Sequence, residues 1–216
     1  MNKKYEIFLF DLDGTITDSA LGITNSVMYA LKKFGIEETD RTKLYKFIGP
    51  PLTESFEKFY GFTKEQSLDG VKYYREYYHD KGIYENRVYD GLEEVLKKIN
   101  EAGKQAIVAT SKPEKYAKII IDHFHLTQYF ACVAGMEMDG GRGTKAQVIT
   151  YALEKNDITD KSNVLMIGDR EHDVIGAHEN GLDCLGILYG FGSRKEFEEA
   201  GADYIRENVE DILQFV

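Results

Sequence analysis

Two carboxylates, Asp11 and Asp13, stand one residue apart at the end of an apolar run, Ile7 to Phe10, and are followed by Gly14 and Thr15. In an extended strand, residues two apart point to the same side. The pair therefore faces one way, at the point where the strand stops and the backbone turns at Gly14. Like charges held this close repel, and each raises the proton affinity of the other. A bound cation relieves that repulsion, and so does a division of labour into one ionised base and one acid. Three further stretches carry residues suited to such chemistry: Thr110-Ser111-Lys112, Lys145 behind Thr144, and Gly168-Asp169 with Asp173 four residues on. Each also has an ordinary structural reading. An acidic pair after a strand makes a turn and a helix cap, and Thr110-Ser111 before Pro113 can cap a helix. A helical lysine is usually a solvated charge, and Asp169 and Asp173 can complement a helix dipole. Their joint occurrence at strand ends is what favours a site.

The elements that must position these residues have two textures. Tyr5 to Asp13 reads as a strand, and helical signals then fill the chain as far as Gly82. Asp18 or Ser19 caps a helix carrying Ile23, Val27, Ala30, Leu31 and Phe34, ended by Gly35. A short helix with Leu44, Phe47 and Ile48 stops at Gly49-Pro50-Pro51, where the prolines forbid continuation. A third runs through Phe56 and Tyr60 to Gly61. Thr63 with Gln66 forms a capping box for a fourth, with Leu68, Val71, Tyr74 and Tyr78 on one face. From Asp90 onward, short apolar strands alternate with helices. Gln105–Thr110, Ala131–Gly135, Asn163–Gly168, Cys184–Leu188 and Tyr204–Ile205 are the strands, and the first of these is too apolar to be half exposed. Thr144, Ser193 and Asn208 are the caps of the later helices. This rhythm predicts an α/β fold, a doubly wound parallel sheet with right-handed crossovers. The expected organisation is a core of residues 1–14 and 83–216, with 15–82 inserted as a four-helix module. Ligands bind at the carboxyl ends of the strands in such sheets, where all four stretches fall.

Composition bounds the partners. With 216 residues, 43% of them hydrophobic and 30% charged, the chain can bury a sizeable core and does not read as disordered. A net charge of −10 argues against a nucleic acid or an anionic membrane held by bulk electrostatics, although a few cations can still gather a phosphate locally. Cys132 and Cys184 sit in apolar runs and read as buried, reduced thiols. No window approaches a membrane span, and Asp11 and Asp13 interrupt the early apolar run, so a cytoplasmic setting is the expectation.

Asp-x-Asp-Gly-Thr after an apolar lead, the Thr110 and Lys145 signals, and Gly-Asp with a further Asp four residues on together resemble the four motifs of the haloacid dehalogenase superfamily. The likeness covers essentially the whole chain and is to the branch with a helical cap inserted after the first motif. The resemblance implies a Rossmann-like core and phosphate chemistry through an aspartyl-phosphate. It makes Asp11 the nucleophile, and Asp13 the acid that protonates the leaving oxygen and then the base that activates water. It implies Mg2+ held by Asp11, the backbone carbonyl of Asp13 and Asp169, with Asp173 ordering the acidic loop behind them. Thr110, the Ser111 amide and Lys145 would hold the phosphoryl oxygens, with Lys112 and Arg142 as further cations nearby. Ala146 departs from the pattern, since many relatives place proline there, but Thr144 still offers the helix a cap. Phe47-Ile-Gly-Pro-Pro-Leu52 and Gly168-Asp-Arg-Glu-His-Asp173 resemble the phosphoglycolate phosphatase-like hydrolases in particular. That group acts on phosphoglycolate, nucleoside monophosphates and pyrophosphate, so the expected partner is a small phosphorylated metabolite. A phosphoglucomutase-like transferase, a pyrophosphatase and a non-catalytic phospho-ligand sensor are the competing expectations.

Overall fold

The computed structural model describes residues 3–138 and 141–216, so positions 1, 2, 139 and 140 of the expected core lie outside the described residues. The chain forms two compact units, one running to Thr17 and resuming at Val88, the other Asp18–Arg87. The first strand, β1 (Ile7–Phe10), is followed by the short β2 (Thr17–Asp18), which leads into the second unit.

The second unit is helical. Its α1 (Ala20–Lys33) starts without a side-chain cap from Ser19; Asp18 Oδ1 instead accepts the Ala20 N–H at 3.2 Å. The expected short helix is a 3-10 helix, Arg41–Phe47, and α2 (Leu52–Tyr60) follows the two prolines. The predicted capping box of Thr63 and Gln66 is present at the start of α3 (Lys64–Tyr77). The expected continuation of that helix through Tyr78 is altered: Tyr78–Gly82 forms a π-helical turn. Close packing accounts for glycine here, because a Cβ on Gly22 of α1 would lie 1.9 Å from the Gly82 carbonyl oxygen. Phe47, Phe56 and Phe62 form an aromatic centre, with Phe56 and Phe62 stacked at 5.5 Å. The chain returns through β3 (Arg87–Val88), which pairs with β2, so the crossing points fall a few residues beyond positions 15 and 82.

The first unit then alternates helix and strand: α4 (Leu92–Glu101), β4 (Gln105–Pro113), α5 (Glu114–His123), β5 (Phe130–Met136), α6 (Lys145–Lys155), β6 (Val164–Gly168), α7 (Glu171–Glu179), β7 (Asp183–Ile187), α8 (Arg194–Ala200) and β8 (Tyr204–Arg206). The expected parallel sheet is present, six strands in the order β5-β4-β1-β6-β7-β8. β1 lies inside it, with Phe10 beside Val108 of β4 and Ile167 of β6. Phe8, Leu9 and Phe10 are fully buried, as a sheet covered on both faces demands. On one face Leu9, Ile107, Met166 and Cys184 pack against Val148 and Ile149 of α6 and Val174 and Ala177 of α7. Each of the buried Leu, Ile, Val and Met side chains contributes about 1.5–3 kcal/mol. The two cysteines are free and buried. Among the described residues, no helix is long and apolar enough to cross a membrane.

Candidate active site

Asp11 continues the ladder of β1, its N–H donating to the Ile167 carbonyl at 2.9 Å, and the residue is 8% exposed. Beyond it the backbone folds back on itself: the N–H groups of Thr15, Ile16 and Thr17 all converge on the Leu12 carbonyl. Gly14 makes that turn with φ +87°, and a Cβ there would lie 2.1 Å from Asp169 Oδ2. Only glycine allows both the conformation and the approach.

The turn separates the two carboxylates that the strand pattern places on one side. Asp11 goes to Lys145, whose Nζ lies 2.6 Å from Asp11 Oδ1, 2.7 Å from Asp173 Oδ1 and 2.8 Å from the Ala109 carbonyl. Lys145 is the first residue of α6, and Thr144 and Gln147 form the capping box before it. The cap therefore holds without a proline at Ala146. Burial works against the ammonium, but Asp11 and Asp173 outweigh it and hold Lys145 above the usual lysine range. Asp13 goes elsewhere: its Oδ2 lies 2.5 Å from Lys112 Nζ, and its Oδ1 is buried without a protein hydrogen-bond partner.

Asp169 follows β6 and is wholly buried. Its Oδ2 accepts the Phe191 N–H at 2.8 Å, and Thr15 Oγ1 lies 3.5 Å from its Oδ1. Burial, then the charges of Asp173 and Asp11, push Asp169 well above the ordinary carboxylate range. Asp173, in the first turn of α7, accepts the Arg170 N–H at 3.0 Å. It is drawn into the same group as Asp11 and Asp169: one oxygen of each lies within 4.8 Å of the others. Asp13 contributes no side-chain oxygen to that group.

Thr110 is buried in β4, and its Oγ1 accepts the Lys112 N–H at 3.2 Å; Ser111 lies between them, half-buried. Arg142 belongs to the scaffold. It donates to Gly135, Glu137 and Glu114, and its guanidinium stacks 3.8 Å from the Tyr151 ring centre.

Two features escaped the sequence pattern. Lys112, paired with Asp13, lies where the register between β4 and β5 shifts, from Thr110 to Pro113, an irregularity that periodicity does not reveal. The segment Tyr189-Gly190-Phe191-Gly192 after β7 closes over Asp169, and two glycines flanking one residue at a strand end were the available signal. A Cβ on Gly190 would lie 2.3 Å from Asp169 Cβ, and one on Gly192 2.0 Å from the Asp169 carbonyl oxygen. Tyr189 donates its hydroxyl to the Thr15 carbonyl at 3.0 Å, and burial keeps it a phenol.

Residues 8–187 match the family model described as haloacid dehalogenase-like hydrolase. A solved structure described as a predicted phosphatase from Clostridium acetobutylicum is 47% identical, with TM-score 0.94 and 98% of both chains covered. A 5'-nucleotidase of Pseudomonas aeruginosa is 45% identical over 89% of this chain and 87% of its own. The tyrosine-protein kinase PtkA of Mycobacterium tuberculosis is 35% identical over 87% of this chain and 63% of its own, longer one.

Proposed function

We propose, for a chain that belongs to the haloacid dehalogenase-like hydrolases and is one of their phosphatases, that it hydrolyses a small phosphomonoester through a phosphoryl group carried transiently on Asp11. The observation that supports this most is the pairing of the two strand-end carboxylates with separate buried lysines, which gives Asp11 and Asp13 different surroundings and hence different tasks.

In the first half of the reaction an Asp11 oxygen attacks phosphorus and the ester P–O bond breaks. Its electron pair goes to the leaving oxygen, which takes a proton from Asp13. In the second half a water oxygen attacks the same phosphorus and gives a proton to Asp13, while the Asp11–phosphorus bond breaks and Asp11 regains its carboxylate. Thr110 Oγ1, the Ser111 amide and Lys145 hold the phosphoryl oxygens, and Lys145 opposes their charge.

The acidic group suits Mg2+. Asp11, Asp169 and Asp173 offer hard oxygen donors alone, all buried and close together, and one ammonium does not balance three carboxylates. Asp11, Asp169 and the Asp13 carbonyl would hold the ion, with Asp173 beside them. When bound it supplies positive charge that offsets that of the transferring group. The likeness to a 5'-nucleotidase makes nucleoside monophosphates the first substrates to try.

A second reading, phosphoryl transfer to an acceptor other than water, draws support from the likeness to a protein named as a tyrosine kinase. Phosphate release from nucleoside monophosphates, phosphoglycolate, sugar phosphates and pyrophosphate, with and without Mg2+, separates the two. Hydrolysis predicts Mg2+-dependent release that Asp11→Asn abolishes. Appreciable turnover by that variant would overturn the role of Asp11, and transfer without release would put the second reading first.

A further inference from the structure

Lys112 has no task in the scheme above, yet it occupies an unusual place. Its side chain is 6% exposed and that of Asp13 is 12% exposed, with 2.5 Å between Nζ and Oδ2. Lysine is almost never this buried unless it is paired, and a pair broken from one side leaves a costly charge. The pairing also distinguishes the two oxygens of Asp13. Oδ2 is anchored by the ammonium, whereas Oδ1 is buried with no protein partner. The segment that supplies Lys112 also supplies Thr110, and the two are tied by the hydrogen bond from the Lys112 N–H to Thr110 Oγ1. The proton-carrying carboxylate is thereby fixed to the strand end that would hold the phosphoryl group.

We propose that Lys112 is a positioning residue for proton transfer, anchoring Asp13 through Oδ2 so that Oδ1 delivers the proton. This rests on the role given to Asp13 above. As the ester P–O bond breaks, the Oδ1–H bond breaks with it and the proton joins the leaving oxygen. The electron pair of that O–H bond stays on Asp13, whose new carboxylate is ion-paired to Lys112.

The test compares phenyl phosphate, whose leaving group needs the proton, with 2,4-dinitrophenyl phosphate, whose leaving group does not. For Lys112→Met, kcat/KM, which reports the step that expels the leaving group, falls roughly tenfold or more further on phenyl phosphate than on the dinitrophenyl ester, within the range that general acid catalysis supplies. Both rates come from the same active molecules, so their ratio does not depend on the fraction folded. Lys112→Arg, which keeps the charge, holds the ratio nearer that of the wild type. Adding Lys112→Met to Asp13→Asn costs nothing further on phenyl phosphate. Equal losses on both esters, or additive losses in the double variant, overturn the inference. If Asp13→Asn itself shows no leaving-group bias, the proton role of Asp13 fails; if it does and Lys112→Met does not, only the role of Lys112 fails.

Discussion

Replacing Lys145 by methionine keeps most of the buried stem and removes the charge. The ammonium lies 2.6 and 2.7 Å from oxygens of Asp11 and Asp173, with its side chain 4% exposed. Coulomb's law at an effective dielectric of about 20 gives each contact about 6 kcal/mol. The desolvation of three buried ions opposes most of that, and loss of one partner from a buried pair leaves a net cost of about 3–5 kcal/mol. In a chain of this size, that corresponds to a fall in Tm of roughly 6–20 °C. A divalent cation should recover part of the loss, because in the variant no ammonium competes for the Asp11 and Asp173 oxygens. At a hundred times its Kd a ligand adds about 2.7 kcal/mol to the stability of the state that binds it. Thermal melts of both proteins, with and without Mg2+, measure this. The reasoning fails if the metal-free variant melts within about 2 °C of wild type. It fails equally if Mg2+ raises the Tm of the variant by no more than that of wild type.

Gly190→Ala places a Cβ against the backbone of Gly14 and the Cβ of Asp169, at 2.4 and 2.3 Å, where no flexible side-chain end can yield. Its Mg2+ requirement for phosphate release should rise roughly 10–100-fold, whereas Gly35→Ala, which meets nothing within 4 Å, should lose stability and leave that requirement alone. Tyr5→Phe removes a 2.5 Å hydrogen bond to Asp183. Burial raises Asp183, but the hydrogen bonds from Lys3 and Tyr5 outweigh it and hold the carboxyl below its ordinary value. A depressed folded-state value contributes stability above the unfolded value, about 3.9, that is lost as pH falls through the folded one. Urea unfolding should therefore show a deficit of about 1.5–3 kcal/mol at neutral pH that narrows toward pH 3. A deficit of the same size at both would refute it.

The sheet and its reactive ends were legible because the signals are local: apolar runs give strands, and the carboxylates stand where those runs stop. The capping box of Thr63 with Gln66 and the cap at Thr144 were readable for the same reason, since such a cap is complete within four residues. Ser193 with Glu196 shows the limit of local signals. The Glu196 N–H bonds the serine, but its carboxylate accepts from Arg170 Nε and the Glu171 N–H, both at 2.8 Å, a commitment made by a distant loop. Lys112 was hidden in the same way, because it falls where the register between β4 and β5 shifts. The strand pattern put Asp11 and Asp13 on one side, whereas the turn at Gly14 and two lysines far along the chain give them separate surroundings.

The crossing between the two units bears on how such chains can diversify. β2 and β3 run side by side, Arg87 forks onto Asp18 Oδ2 at 3.2 and 3.1 Å, and the Tyr89 N–H donates to the Ile16 carbonyl at 3.2 Å. Paired strands lie about 5 Å apart. The chain thus departs and re-enters at neighbouring points, and none of Asp11, Asp13, Thr110, Lys112, Lys145, Asp169 and Asp173 lies on the excursion between them. That excursion is a cassette: a bundle of another length, or a bare hairpin, could close the same gap without displacing a single carboxylate. The length of the insertion can drift while the strand ends that carry the carboxylates stand still.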